Sequence, residues 1–247
     1  MKHNAGTEFR VDEDAKETPH SVSRRQVETG PWILRHIPPH RIYVEPFGGG
    51  GSVLLQKPRS YAEVYNDMDG EMVNLFKVAR DHGEQLAQAL ELTPFARVEF
   101  VGAYEPTGDP LEQARRTLVR SFMGFGSAGA SGHSTGFRAN SNRSGTTPAR
   151  DWMNYPEHLR VVIQRLRGVV VENRDAAEVM RTHDGDEAVH YVDPPYVHET
   201  RSLRNSSPAY RHEMTNAQHE ELALVCGICE PRFNTATLKA HRKPSTR

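Results

Sequence analysis

The sequence predicts an α/β protein in which helices flank a mainly parallel β-sheet. Two strand–helix units lie close together near the start of the apolar part of the chain, and two more short apolar strands follow after position 168. Strands that alternate with helices are typical of parallel sheets, because each strand must be joined to the next by a crossover. Apolar residues cluster between positions 31 and 225. The polar segments 1–30 and 226–247 are expected to be tails, and the first of them to be disordered.

The elements of the first half follow from apolar spacing and from residues that break helices. Large apolar side chains recur at helical spacing near positions 31–37 and again in 69–80, and Pro38 ends the first of these helices. In order, we expect a short helix over 31–37, a strand over 42–47, a glycine turn over 48–51, a helix from Ser52, a strand over 62–65 ending at Asn66-Asp67, and a helix over 69–80.

The second half holds a long helical segment, a loop and the remaining strands. Residues 123–149 are rich in glycine, serine and asparagine, which predicts a long flexible loop that either has a function or is disordered. The other expected elements are helices within 84–122 interrupted at 105–110, a helix over 156–167 that begins at Pro156, strands over 169–171 and 188–192, and a helix from Thr215, which opens a capping box, to Val225. We therefore expect one domain made of 31–83 and 151–225, with 84–150 as an insert.

Charge is distributed unevenly along the chain. The formal net charge is −1, yet residues 111–150 contain six arginines and a single acid, Glu112. This segment therefore carries +5 and leaves −6 for the rest of the chain. A basic segment on an otherwise acidic protein is expected where one face of the protein meets phosphates.

Cysteine content and apolar runs indicate the compartment. The two cysteines, Cys226 and Cys229, cannot form a disulfide framework, and no run reaches the ~18 apolar residues of a membrane span. Because the first residues also lack the apolar core of a signal peptide, we expect a soluble cytoplasmic protein that does not contact a membrane. No metal site is expected, because the cysteine pair has only His241 after it.

The turn after the first strand predicts a small-molecule site. Residues 45–52 read Glu-Pro-Phe-Gly-Gly-Gly-Gly-Ser, and such a glycine turn between a strand and a helix lets a ligand approach the backbone. The spacing fits neither a dinucleotide fingerprint nor a phosphate loop. An acid before the turn therefore favours a ligand with an ammonium group and a nucleoside, such as S-adenosylmethionine. Asp67 ends the next strand, where a carboxylate can accept both ribose hydroxyls. The alternative is a turn that only packs a helix on a strand.

The tetrapeptide Asp193-Pro194-Pro195-Tyr196 indicates a function more specifically than the glycine turn does. It follows an apolar strand, so it lies at the carboxyl end of the sheet, where open α/β folds bind ligands. Asp193 and the Pro194 carbonyl can accept the two N–H bonds of an aromatic amine and localise its lone pair. The prolines stiffen the turn, and Tyr196 offers a ring on which a flipped base can stack. The alternative is an ordinary turn that ends a strand.

Taken together, these motifs resemble the Dam-like class of adenine-specific DNA methyltransferases. The matching stretches occur in the order of that class and span about residues 31–225; they are 43–53, Asn66-Asp67, Thr93-Pro94, 114–116, 172–176, 191–196 and 210–214. The resemblance implies a Rossmann-like S-adenosylmethionine-dependent methyltransferase fold with a helical DNA-recognition insert. It also implies a monomer that methylates the N6 amino group of adenine in double-stranded DNA, with or without a companion restriction endonuclease.

The resemblance assigns roles to particular residues. It implies that the turn Glu45, Pro46, Phe47, Gly48, Gly49 and Gly50 holds the methionine part of the cofactor. Asp67 binds the ribose, and Asp175 with Ala176 contacts the adenine. Taken alone, Asp175 fits a helix cap better. Asp193, Pro194, Pro195 and Tyr196 form the catalytic centre.

The arginines of the insert are the candidates for DNA contact, because arginine suits phosphates and guanine edges. They are Arg115, Arg116 and Arg120 on a predicted helix and Arg138 and Arg143 in the loop. For any one of them, a solvated helix face or loop explains the residue as well.

Two other hypotheses about the function also stay open. Because the segments before Pro31 and after Val225 differ from the class, the chain could be an inactive relic that binds cofactor or DNA. Because related tetrapeptides serve several acceptors, it could instead methylate an amino nitrogen in RNA or protein.

Overall fold

Four parallel strands form the centre of the computed structural model, which describes residues 31–125, 136–139, 146–195 and 212–228. The strands are β1 (Ile42–Glu45), β2 (Ala62–Asn66), β3 (Val169–Glu172) and β4 (Ala188–His190). They lie in the order β3-β2-β1-β4, and every pairing is parallel. The predicted fold class is therefore confirmed. Because the strand order reverses between β1 and β4, a crevice is expected at the carboxyl ends of these two strands.

Helices cover both faces of this sheet. The described helices are α1 (31–36), α2 (Ser52–Gln56), α3 (Gly70–Asp81), α4 (Gly83–Glu91), α5 (Arg97–Gly102), α6 (Pro110–Met123), α7 (Pro148–Leu166), α8 (Ala176–Thr182) and α9 (Asn216–Ile228). Successive strand residues point to opposite faces. Tyr43 and Tyr65 accordingly lie in the large core with the helices α2 to α7, whereas Val44 and Val64 pack against Val179 of α8. Across the described ranges, no helix is both long and apolar enough to cross a membrane.

The helices of the insert share the large core with the sheet. Leu86 of α4, Phe100 of α5 and Leu118 of α6 are buried in the same cluster as Tyr43 and Tyr65. The main contacts of α6 are with α3, and those of α4 are with α7. The insert is therefore continuous with the hydrophobic core, which fixes its orientation relative to the sheet.

Helix α7 begins earlier than the sequence indicated. The prediction placed its start at Pro156, but the helix begins at Pro148, and the side chain of Thr147 accepts a hydrogen bond from the Arg150 amide. Pro148 occupies the first helical position, where proline costs no hydrogen bond. Pro156 lies inside the helix, where it removes one backbone hydrogen bond. Trp152 and Tyr155 extend the buried face before Pro156, and their packing outweighs the backbone hydrogen bond that Pro156 removes. The expected loop over 123–149 is correspondingly shorter, because Met123 ends α6 and 148–149 belong to α7.

The arginines of α6 bind acidic residues of the protein itself. Arg115 donates to both carboxylate oxygens of Glu112 at 2.7 Å and to Glu99 at 3.0 Å. Arg116 donates to Glu112 at 2.6 Å. Hydrogen bonds from Arg115, and then from Arg116, lower the pKa of Glu112 to about 2. Glu112 is already included in the +5 counted for residues 111–150, so Glu99 of α5 is the acid in these pairs that offsets a further positive charge.

Arg120 corrects the expectation of a DNA-contacting side chain, because it is only 4% exposed. Its guanidinium pairs with Glu71 at the start of α3, donates to the Ala103 carbonyl at 3.1 Å and lies 5.7 Å from the centre of the Tyr104 ring. A buried guanidinium with an acidic partner fastens α6 to α3 rather than meeting phosphates. The sequence could not separate these roles, because Glu71 lies 49 positions away.

We predict that Arg120→Met lowers the free energy of unfolding by about 3 kcal/mol, because it leaves the Glu71 carboxylate and the Ala103 carbonyl without their donor. Urea denaturation measures the change. The exposed Arg150 provides the control, since Arg150→Met is expected to alter stability by less than about 0.5 kcal/mol. An Arg120→Met protein as stable as the wild type would show that the ion pair does not join the two helices.

Candidate active site

The glycine turn is held against the carboxyl end of β2 by hydrogen bonds in both directions. The Gly48 amide donates to the Asn66 carbonyl at 2.8 Å, and the Gly49 amide donates to Oδ2 of Asp67 at 2.7 Å. In return, the Tyr65 hydroxyl donates to the Gly49 carbonyl at 2.7 Å, and Asn66 Nδ2 donates to the Pro46 carbonyl at 2.9 Å. The end of β2 therefore fixes the conformation of the turn that follows β1.

Glycine is required in this turn for two separate reasons. A Cβ atom on Gly48 would lie 2.1 Å from the Tyr65 ring, so a side chain has no room there. Gly49 and Gly51 have φ angles of +48° and +63°, which side chains other than glycine rarely adopt. At Gly49, by contrast, an added Cβ would meet no atom within 4 Å. The backbone at Gly49 thus faces open space, where a ligand can approach it.

Glu45 ends β1 and is turned into the protein. It is 2% exposed, and its Oε2 accepts hydrogen bonds from the Tyr43 hydroxyl at 2.9 Å and the Leu54 amide at 3.0 Å. Burial raises the pKa of Glu45 to about 8, and the negative charge of Asp193 adds to that rise. Glu45 therefore joins β1 to the start of α2, and the negative charge of Asp193 favours its protonated form.

The ends of β2 and β3 are joined beside the turn. Asn66 donates to the Arg174 carbonyl and accepts from the Arg174 amide, and Asn173 donates to the Asp67 carbonyl at 2.7 Å. The two carboxylate oxygens of Asp67 accept from the amides of Gly49 and Asp69. Burial raises the pKa of Asp67. Its carboxylate is thus oriented by backbone amides just after the carboxyl end of β2.

Asp175 lies two residues beyond Asn173 and is the N-cap of α8. It accepts hydrogen bonds from the amides of Ala177 and Glu178, and Ala176 is buried behind it. This is the helix-cap role that its local sequence favours. The contact with an adenine ring remains a proposal, and the exposed position of Asp175 leaves its carboxylate accessible.

The predicted catalytic turn follows β4 on the other side of β1. The Tyr191 amide still donates to the Val44 carbonyl of β1 at 2.8 Å, so the pairing continues to the start of the turn. Asp193 is half-buried, burial raises its pKa, and the Tyr191 side chain donates a hydrogen bond to its carboxylate. Pro194 and Pro195 follow it within the described chain, and Tyr196 lies outside the described residues.

The expected DNA-binding residues are distributed differently from the prediction. Arg138 is half-buried, donates to the Phe122 carbonyl at 2.9 Å and lies over the Phe122 ring. Arg115 and Arg116 are paired with acids but keep partial exposure, with 16% and 20% of their side chains accessible. Arg120 is interior, as described above, and Arg143 lies outside the described residues.

The two ends of the loop between α6 and α7 meet at an antiparallel bridge. Gly124 pairs with Phe137, the Phe125 amide donates to the Gly136 carbonyl at 3.0 Å, and the Arg138 amide donates to the Met123 carbonyl at 2.8 Å. The Phe137 ring packs on Phe95 and Phe100. Phe125 and Gly136 therefore lie at neighbouring positions.

Several site residues were not predicted. Tyr43 and Tyr65 hold Glu45 and Gly49, and Asn66 links three strand ends. Tyr43 and Glu45 are two positions apart in one strand and therefore share a face, which is a signal that the sequence did contain. The pairing of Tyr65 with Gly49 has no such signal, because it depends on the contact between β1 and β2.

We predict that Gly48→Ala destabilises the protein by about 1–3 kcal/mol and weakens ligand binding at the turn, because the new methyl group displaces the Tyr65 ring. Urea denaturation and calorimetric titration with S-adenosylhomocysteine measure the two effects. Gly70→Ala is the matched control, since a Cβ at Gly70 would meet no atom within 4 Å. Equal behaviour of the two variants would contradict the packing of Gly48 on Tyr65.

We also predict that Glu45 makes the ligand-free protein less stable as pH rises. Between its ordinary pKa of 4.5 and its raised pKa of about 8, folded Glu45 keeps a proton that unfolded Glu45 has lost. Raising the pH through this window therefore lowers the free energy of unfolding, by at most about 1.4 kcal/mol per pH unit.

Urea denaturation of the wild type and of Glu45→Gln across this window isolates the contribution, because glutamine keeps the acceptor oxygen but has no proton to lose. The wild type should lose more stability than the variant as the pH rises. The exposed Glu220 provides the control through Glu220→Gln, which should follow the wild type. Parallel curves for wild type and Glu45→Gln would mean that Glu45 is ionised throughout.

Comparison with known proteins agrees with this geometry. No curated protein matched the chain. A family model matched most of its length, over residues 28–236, and therefore includes the glycine turn, the insert and the tetrapeptide after β4. The chain belongs to the family of D12 class N6 adenine-specific DNA methyltransferases.

Proposed function

We propose that this protein transfers the methyl group of S-adenosylmethionine to the N6 amino group of an adenine that is flipped out of duplex DNA. The observation that carries the proposal is the meeting of two loops at the strand-order reversal. The glycine turn follows β1 and Asp193 follows β4, so both come after the carboxyl ends of neighbouring parallel strands, and the negative charge of Asp193 adds to the rise that burial causes in the pKa of Glu45. This arrangement supports a cofactor site on the β1 side beside an acceptor for an amino group after β4.

The residues on the β1 and β2 side fit the proposed cofactor. The backbone at Gly49 faces open space, so the turn Glu45–Gly50 would hold the methionine part, while Asp67 would bind the ribose hydroxyls. Asp175 and Ala176 would contact the adenine. Bound S-adenosylmethionine supplies an electrophilic methyl group on a sulfonium. Two carboxyl groups and a glycine turn without a phosphate-binding lysine suit this cationic nucleoside better than a nucleotide.

The residues after β4 fit the acceptor role. Asp193 and the Pro194 carbonyl would accept the two N–H bonds of the adenine amino group and concentrate its lone pair toward the methyl. The hydrogen bond from Tyr191 orients the Asp193 carboxylate and leaves further lone pairs for a substrate. Pro195 restricts the backbone of the turn, and Tyr196 would stack on the flipped base.

The proposed DNA surface lies around the base of the loop that leaves α6. Arg138 stands beside this base, and Arg143 belongs to the same loop. Arg115 and Arg116 retain exposed edges and would add contacts to phosphates, whereas the buried Arg120 supports the surface from inside. The alternative, a relic that binds cofactor or DNA without turnover, is an outcome of the experiment below.

We predict that the wild type incorporates labelled methyl from S-adenosylmethionine into mixed-sequence duplex DNA, and that Asp193→Asn lowers the rate by about 100-fold or more. The amide keeps the size of the carboxyl group but loses the negative charge that activates the amine. Asp186→Asn is the matched control, because Asp186 is exposed and should be replaceable without effect. Calorimetric titration with S-adenosylhomocysteine reports cofactor binding separately.

Each outcome bears on one part of the proposal. Binding of S-adenosylhomocysteine without label in DNA would overturn the enzymatic function and favour a relic. Label in DNA that persists in Asp193→Asn would overturn the role of Asp193. Faster labelling of RNA than of DNA would overturn the proposed substrate.

A further inference from the structure

Helix α9 lies against both halves of the proposed site. Its buried residues Leu222 and Val225 pack on Ala177 and Met180 of α8. The same cluster is joined by Phe47 of the glycine turn, by Val192 immediately before Asp193, and by Met214 just before α9. Helix α9 is therefore fixed relative to the glycine turn, where the cofactor is proposed to bind, and to the start of the catalytic turn.

The start of α9 is itself well defined. Thr215 and Gln218 form the capping box that the sequence predicted, because the Thr215 amide donates to Gln218 Oε1 at 2.8 Å and the Gln218 amide donates to the Thr215 hydroxyl. His219 comes next, three positions before Leu222. Residues three apart share a helix face, so the packing of Leu222 orients His219 toward the body of the protein.

His219 contacts the catalytic turn directly. Its ring donates a hydrogen bond to the backbone of Pro195, and the acceptor must be the carbonyl because proline has no amide hydrogen. The other ring nitrogen, Nε2, is buried and has no hydrogen-bond partner among the described residues. Nδ1 is therefore the donor. Burial lowers the pKa of His219, which keeps the ring neutral near pH 7.

The chemistry of the turn explains why an external donor is needed. Two successive prolines remove two backbone donors, so the turn offers carbonyl groups but no amide hydrogens at these positions. A loop of this kind cannot be held by donating its own hydrogen bonds. Tyr191 holds the Asp193 side chain from within the turn, and His219 holds the main chain at Pro195 from α9.

We propose that His219 is a positioning residue for methyl transfer, holding the Pro195 carbonyl through Nδ1–H so that Asp193 and the Pro194 carbonyl keep the alignment that the amino group requires. This inference rests on the proposed function. His219 itself touches neither reacting group. Its loss should therefore slow the chemical step and leave cofactor binding intact, because small displacements of aligned groups reduce rates strongly.

The kinetic test compares His219→Phe with His219→Asn. Phenylalanine keeps the ring without a donor, whereas the asparagine amide places a donor near the position of Nδ1. His219→Phe should lower the single-turnover methylation rate by about 10- to 100-fold, with S-adenosylhomocysteine affinity within about twofold of wild type. His219→Asn should recover most of the rate. Glu220→Ala, an exposed change on the same helix, is the control.

Three results would overturn the inference. Equally slow Phe and Asn variants would assign His219 a packing role, and an unchanged rate in His219→Phe would remove any role. A parallel loss of S-adenosylhomocysteine affinity would place His219 in cofactor binding instead.

A spectroscopic test separates this inference from the proposed function. In protein with ¹⁵N-labelled histidine, the His219 resonances, assigned by their loss in His219→Asn, should show the neutral Nδ1–H tautomer near pH 7. This readout needs no turnover. The Nε2–H tautomer would overturn the inference even in an active enzyme, whereas the Nδ1–H tautomer in an inactive protein would show that the proposed function alone had failed.

Discussion

The attachment of the glycine turn to the end of β2 is the constraint on which the rest of the site depends. Two amides of the turn donate to Asn66 and Asp67, and the Tyr65 hydroxyl donates back to Gly49. These bonds leave the backbone at Gly49 facing open space, where a ligand can approach it. At Gly48 the Tyr65 ring fills the space that a side chain would need. Because this turn connects Glu45 to α2, its conformation sets the position of the Leu54 amide that donates to the buried Glu45.

Parallel pairing brings the second half of the site to this turn from far along the chain. Val44 lies opposite Val64 on one side and His190 on the other, so β2 and β4 end beside β1. Burial raises the pKa of both the buried Glu45 and the half-buried Asp193, and the negative charge of Asp193 adds to the rise at Glu45. A cationic methyl donor is well suited to such a place, because its charge offsets the repulsion that would otherwise oppose ionisation of both acids.

Local signals in the sequence predicted the strands, the glycine turn, Asp67 and the capping box of α9, because each depends on neighbours within a few residues. Features set by distant partners were missed or misplaced. Arg120 was grouped with exposed arginines, yet Glu71 and Ala103 bury it. The count of +5 for residues 111–150 does not include Glu99, which lies outside that segment and pairs with Arg115. Helix α7 starts before Pro156, because tertiary packing of Trp152 overrides the local signal for a helix start at Pro156.

The central claim is that the crevice between β1 and β4 directs a methyl group to the amino nitrogen of adenine in DNA. Its most direct test is mass-spectrometric analysis of the nucleosides released from unmethylated duplex DNA after incubation with the protein and S-adenosylmethionine. N6-methyldeoxyadenosine should appear in proportion to incubation time, with no methylated cytidine. Methylation of a different base, or DNA that remains unmodified although the protein binds the cofactor, would contradict the claim.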